Sequence, residues 1–234
     1  MTEQEFTDIV DQIYTLRTAP AKPSEHPRGI VLGGQPGSGK STLVEKLKED
    51  LPGALYINLD EYRSWHPDYR NFQEKLGKES IKATAQFAAK VTETLIDRAL
   101  ADRYSVIIEG TFRTHETPIK TLTKLKEHGY TTGVFIKSCP AEESWRRCNE
   151  RYENGLKKGD GKERYTYKEH HDLVVKNLPH NADIVLQSGL ADFFFVMDDN
   201  RHFIYSSKQT PNLLPSVVIE KNLHPKHERN EPER

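Results

Sequence analysis

Apolar residues recur along the chain in two rhythms: short runs bounded by turn formers, and longer stretches at helical spacing. Phe6, Ile9, Val10, Ile13 and Leu16 fall on one face of a helix within residues 1–18, and such a face must dock on something. Ala19-Pro20-Ala21-Lys22-Pro23-Ser24 breaks that helix, so 19–28 reads as a linker. Apolar runs then predict strands at Gly29–Leu32, Leu55–Leu59, Ser105–Glu109, Thr132–Lys137 and Ile184–Leu186. Helical spacing between them predicts helices at Lys40–Asp50, Glu79–Ala101, His115–His128, Ala141–Tyr152 and Tyr167–Asn177. This alternation implies an α/β fold with a mostly parallel central sheet flanked by helices. Past Gly189 the pattern changes. Phe193–Met197, the turn formers Asp198-Asp199-Asn200, and His202–Tyr205 predict a C-terminal β-hairpin within 189–208. From Asn222 the chain is almost wholly polar, so 222–234 reads as a disordered tail to one domain over 1–221.

Charge narrows the range of partners. The chain has 34 basic and 35 acidic residues, a balance that argues against nucleic acid or an anionic membrane as a bulk electrostatic partner. A mean hydropathy of −0.76 implies a heavily charged surface around a modest core. No apolar run is long enough to span a bilayer, and Met1-Thr2-Glu3-Gln4-Glu5 lacks the basic and apolar regions of a signal peptide. Cys139 and Cys148, the only cysteines, make no disulfide framework and read as reduced structural thiols. These features together suggest a cytoplasmic enzyme.

The candidate chemistry begins after the first predicted strand. Gly34-Gln35-Pro36-Gly37-Ser38-Gly39-Lys40-Ser41 matches the phosphate-binding pattern G-x-x-x-x-G-K-[ST], and Thr42 continues into the helix. Glycines let successive N–H groups turn inward around an anion. Lys40 brings a point charge to the β/γ-phosphates, the Ser41 hydroxyl is placed to ligate Mg²⁺, and the helix end is electropositive. A nucleoside triphosphate is the expected ligand.

Two later strands end in an acid. Leu55–Leu59 leads into Asp60-Glu61, and Val106-Ile107-Ile108 leads into Glu109-Gly110-Thr111. Asp60 follows the very next strand after the phosphate loop, a position that in small P-loop kinases faces the acceptor. It therefore reads as a general base, worth about 10²–10⁴ in rate, with metal ligation and a strand-end cap as alternatives. Arg146, Arg147 and Arg151, with Arg164 beyond a Gly- and Lys-rich loop, could neutralise a transferring phosphoryl group. Pattern does not separate the first three. Glu93 projects from the polar side of the 79–101 helix and reads as a solvated surface charge. His170-His171-Asp172 lacks a matching ligand set, and adjacent helical residues diverge, so a metal site there is disfavoured.

Five stretches in order resemble the zeta toxins, kinases of bacterial toxin–antitoxin pairs. They are Gly33–Thr42; Asp60-Glu61-Tyr62-Arg63 with His66-Pro67-Asp68-Tyr69; Ile108–Thr111; Glu150–Glu153; and Asp172–Pro179. The likeness covers roughly residues 5–208. It implies transfer of phosphoryl from ATP or GTP, with Mg²⁺, to the sugar 3′-hydroxyl of UDP-N-acetylglucosamine, which starves peptidoglycan synthesis. On this resemblance Asp60 takes the hydroxyl proton, and Arg63 in the same stretch joins the substrate side. Glu93 becomes a substrate contact through its spacing to Glu109, while Glu109, Thr111 and Arg113 hold the nucleotide-sugar. Arg151 and Arg164 are the arginines selected to face the phosphoryl group. Ser41 stands where the best-known members use Thr, which keeps the metal-binding hydroxyl. The chain stops sooner after the hairpin than some members. The resemblance also implies a separate, small helical antitoxin that obstructs the nucleotide site. The N-terminal helix could form part of its dock, in which case deleting residues 1–18 should weaken the complex and spare the kinase.

Other readings keep the phosphate loop. One is a P-loop kinase acting on another UDP-sugar or on a different hydroxyl. Another is a nucleotide-dependent switch, although a guanine-specifying N-K-x-D sequence is absent.

Overall fold

The computed structural model describes residues 1–159 and 164–225. Its strands are β1 (Arg28–Gly33), β2 (Leu55–Asn58), β3 (Val106–Glu109), β4 (Thr131–Lys137), β5 (Phe193–Met197) and β6 (Phe203–Ser206). They form one sheet in the order β2-β3-β1-β4-β5-β6, with β1 to β5 parallel and β6 antiparallel to β5. The helices are α1 (Glu3–Thr18), α2 (Lys40–Asp50), α3 (Leu59–Tyr62), α4 (Tyr69–Leu76), α5 (Ser80–Ala83), α6 (Ala85–Ala101), α7 (Glu116–Glu127), α8 (Ala141–Lys158), α9 (Lys168–Gln187) and α10 (Pro215–Leu223).

The strands' alternation divides the interior. Val31, Val106, Ile108, Val134, Ile136, Phe194 and Val196 face a thick layer in which α1, α6, α7, α9 and α10 bury Val10, Val91, Leu122, Leu178 and Ile219. Ile30, Leu32, Ile107, Phe135 and Met197 face the opposite way, onto Leu43, Val44 and Leu47 of α2. β1 lies between β3 and β4, so the chain leaves it toward one edge and later returns on the other side. Ligands of open parallel sheets bind at such a switch point, beyond the strands' carboxyl ends.

Several predicted elements are corrected. Ile184–Leu186 is not a strand but the last part of α9, which runs through Pro179. Val174, Leu178, Ala182 and Val185 are all fully buried at helical spacing, so packing overrides the proline as a stop signal. The fifth parallel strand is instead the first arm of the hairpin, β5. The long helix predicted over 79–101 is interrupted at buried Thr84, and α8 continues past Tyr152 to Lys158, into what reads as a loop. The expected tail begins too early: Asn222 donates to Ser138 Oγ at 2.7 Å and Leu223 is buried, both in α10. Residues 226–234 lie outside the described residues, as do 160–163 of the loop before Arg164.

Candidate active site

The loop after β1 is pressed from two sides, and two of its glycines are required by space. A Cβ on Gly34 (φ +141°) would lie 2.1 Å from the Lys137 carbonyl oxygen at the end of β4. On Gly37 (φ +79°) it would lie 2.0 Å from the Ser144 carbonyl oxygen of α8. Buried Gln35 anchors the loop from below, donating to the Cys139 carbonyl at 2.7 Å. Gly39 is the N-cap of α2 and supplies no side-chain cap, which leaves the first N–H groups open to an anion. Lys40 Nζ donates to the carbonyls of Gly34 (3.0 Å) and Gln35 (3.2 Å), with Glu109 Oε1 at 3.8 Å. Ser41 is exposed beside it, and the buried Ser38 Oγ has no hydrogen-bond partner among the described residues. An uncapped helix end, an ammonium and a free hydroxyl together fit a triphosphate with its Mg²⁺.

Asp60 opens α3 at the carboxyl end of β2, where Asn58 caps the turn by accepting from the Asp60 N–H at 3.0 Å. A cleft of about 310 Å³ is lined by Asp60, Arg63, Tyr69 and Ile81 together with Arg151, Arg164, Tyr165 and Thr166. The surrounding protein pushes the Asp60 pKa up although half of its side chain is exposed, and the adjacent Arg63 guanidinium at 3.0 Å, aided by Arg164 and Arg151, outweighs this and holds the carboxyl below its ordinary range. Arg63 also donates to the Ile81 carbonyl at 2.7 Å and to Thr84 Oγ1 at 3.3 Å.

The structure separates the arginines that pattern left equivalent. Arg146 is taken by Glu143 and Glu150 on the surface, and Arg147 by Glu143 and, in a two-pronged pair at 2.7 and 2.8 Å, by Asp199. Arg151 alone reaches the cleft, where it donates to Thr166 Oγ1 at 3.3 Å.

Glu109 closes the floor next to Lys40. Its Oε2 accepts from the Tyr56 hydroxyl, which in turn accepts from Asn58 Nδ2 at 2.8 Å. A continuous hydrogen-bonded path thus runs from the Asp60 backbone to the carboxylate beside the lysine. Burial first, then Glu109, pushes the Tyr56 pKa well above its ordinary value, so the hydroxyl remains a donor. Sequence reading did not single out Tyr56 and Asn58. The available signal was two polar residues alternating with apolar ones in a short strand.

Thr111 is half-buried and Arg113 exposed on the loop after β3, whose Phe112 is held at φ +58°. Asn181 and Asn177, one turn apart on α9, donate to the carbonyls of Phe112 (2.9 Å) and Arg113 (3.1 Å) and fix that loop. His170, weighed in the sequence only as part of a disfavoured metal site, lies near this loop. It is half-buried at the start of α9, where burial and then the Arg113 charge lower its pKa while Asp60 opposes them. His171 points elsewhere, to Ser144 Oγ at 2.8 Å.

Of the proposed substrate contacts, Asp60 and Arg63 line the cleft, whereas Glu93, Glu109, Thr111 and Arg113 do not. Glu93 is 68% exposed and pairs with Lys120 of α7 at 3.3 Å. The helical period places it on the surface, as expected from the sequence.

Known proteins resemble this chain in sequence and fold. The Zeta toxin family model matches residues 12–210. The chain is 32% identical over 226 residues to Toxin zeta of Streptococcus agalactiae, spanning 96% of this chain and 79% of that protein. It is 33% identical over 220 residues to Toxin PezT of Streptococcus pneumoniae, spanning 94% and 87% respectively. A chain from the structure of the PezAT toxin–antitoxin system of that organism superposes with a TM-score of 0.86 at 28% identity, covering 96% of this chain and 88% of that one. A chain of the AvrRxo1-ORF1:-ORF2 structure with ATP, at 14% identity and a TM-score of 0.68 over 95% of this chain and 72% of that one, shares the fold alone. With the family matched over most of its length and relatives above 30% identity over nearly all of it, this chain belongs to the Zeta toxin family.

Proposed function

We propose that the chain is a cytoplasmic toxin kinase that transfers the γ-phosphoryl of ATP or GTP to the sugar 3′-hydroxyl of UDP-N-acetylglucosamine. The observation that carries this reading is that Asp60, Arg151 and Arg164 line one cleft, where both arginines act electrostatically on the Asp60 carboxyl. In the reaction, the Asp60 carboxylate accepts the proton of the attacking hydroxyl while the new O–P bond forms. The bond from the γ-phosphorus to the bridging oxygen breaks, and the nucleoside diphosphate leaves. Arg151 and Arg164 neutralise charge on the transferring group, an effect of about 10³–10⁵ for such arginines. Lys40 and the α2 N-terminus hold the phosphates. Mg²⁺ bound through the Ser41 hydroxyl would supply further neutralisation of phosphate charge. Arg63, Glu93, Glu109, Thr111 and Arg113 form the acceptor side.

A separate helical antitoxin that obstructs the nucleotide site completes the proposal. The relation to a chain of a toxin–antitoxin system supports it. The kinase is tested by incubating the purified chain with ATP, Mg²⁺ and UDP-N-acetylglucosamine, and following the sugar nucleotide by mass spectrometry and phosphorus NMR. The expected product carries phosphate on the sugar 3′-oxygen. Asp60→Asn should lower the rate by about 10²–10⁴ and leave ATP binding intact. No product from the wild type, with ATP bound, would mean that the acceptor is a different hydroxyl compound.

A further inference from the structure

The segment joining α8 to α9 ends in Arg164-Tyr165-Thr166-Tyr167, and Tyr167 is extended at φ −69° and ψ 138°. Arg164 and Thr166 serve the cleft, Thr166 as the acceptor for Arg151. Tyr165 at the rim, and Tyr167, meet the arm that carries α5. Lys78 Nζ lies 4.3 Å from the Tyr165 ring centroid and 5.6 Å from that of Tyr152. Lys82 Nζ lies 5.2 Å from the Tyr167 ring, whose hydroxyl donates to Glu79. The rings themselves are in edge contact, Tyr152 with Tyr165 at 5.1 Å and Tyr165 with Tyr167 at 5.0 Å.

Both arms end on the reacting groups. Arg63 ties the α5 arm to Asp60 through the Ile81 carbonyl, and Thr166 ties the tyrosine segment to Arg151. Among the described residues, Lys78, Lys82, Tyr165 and Tyr167, with Tyr152 beside them, carry the aromatic and cationic contacts between the two arms. None of the first four lies in the stretches that carry the family resemblance.

We propose that Lys78, Lys82, Tyr165 and Tyr167 form a clasp across the cleft mouth that sets where Arg151 and Arg164 stand relative to Asp60. They are positioning residues. The inference rests on the reading that those arginines face the transferring phosphoryl group. A lysine over a ring holds by charge as well as by packing, so an arginine substitutes for it and an apolar chain of similar length does not. Misplacement of catalytic groups by about 1 Å costs about 10²-fold in rate, so a loosened clasp is felt in kcat.

The test uses the full chain carrying Lys78→Met or Tyr165→Leu, against Lys78→Arg and Tyr165→Phe. Transfer kinetics, ATP affinity and amide hydrogen exchange are followed in each. Lys78→Met and Tyr165→Leu should lower kcat about tenfold, leave ATP affinity unchanged, and speed exchange in the 164–167 and 77–82 segments together. Lys78→Arg and Tyr165→Phe should restore both readouts. Wild-type exchange and kcat in the Met and Leu variants would overturn the clasp. So would an equal loss of kcat in the Arg and Phe variants. If the wild type does not phosphorylate the sugar nucleotide, the proposed function fails, and coupled exchange of the two segments decides the clasp by itself.

Discussion

Asp60 shows how much one neighbour decides. The surrounding protein raises its pKa, and Arg63 more than reverses the effect, so the carboxyl is ionised below its ordinary range. A carboxyl whose native pKa lies below its unfolded value stabilises the fold above the unfolded pKa, and that contribution is lost as pH falls through the native pKa. On the proposed mechanism, its competence as a base is lost over the same fall. Arg63→Met should therefore shift the acid limb of the kcat/KM profile to higher pH, because the effect of the surrounding protein remains and the main opposing charge is gone. An unshifted limb would show that Arg63 does not hold the Asp60 proton off. Asp60 was readable in the sequence because a strand end is a place. Arg151 was not separable from Arg146 and Arg147, since which neighbour each meets depends on Asp199 and Thr166, distant along the chain. Glu93 is a simpler case: the helical period put it on the surface, where it pairs with Lys120.

At the scale of elements, α1 changes role. Its expected apolar face exists, but it docks on this molecule: Phe6, Val10 and Ile13 are buried in the main core, and Phe6 meets Phe87 edge-on at 6.1 Å. Arg17 pairs with Glu61, next to Asp60, and Tyr14 bonds to the Arg98 carbonyl and Asp102 at the far end of α6. Ile13→Ala should cost about 2–5 kcal/mol in a urea melt. Removing residues 1–18 should unfold the kinase rather than spare it, reversing the expectation from sequence. A truncated chain with wild-type transfer activity would refute this. Leu16, 63% exposed, is the part of the expected stripe left outside. Element boundaries were hardest to read where packing opposed a local signal. Pro179 looked like the end of a helix and the apolar trio at 184–186 like a strand, yet both sit in α9, where the buried face runs on past them.

Over the whole molecule, the sheet order sets the site, since β1 is flanked by β3 and β4 and the phosphate loop leaves from the switch point. ATP binding to the native state alone should raise stability by about 2.7 kcal/mol at a hundredfold excess over Kd. For a chain of this size that is a rise in Tm of about 5–10 °C, best measured on Asp60→Asn to prevent turnover. No rise would show that the loop does not hold a triphosphate. By itself the sequence determined the phosphate loop, the parallel α/β frame and the acid after β2, because each depends on residues adjacent in the chain. Glycines at fixed offsets and alternation in a strand are local physics. Only the tertiary structure decided which arginine faces Asp60, that Tyr56 and Asn58 link it to Glu109, and that α1 belongs to the core. Those outcomes depend on pairs far apart in sequence, whose meeting is set by how the layers pack.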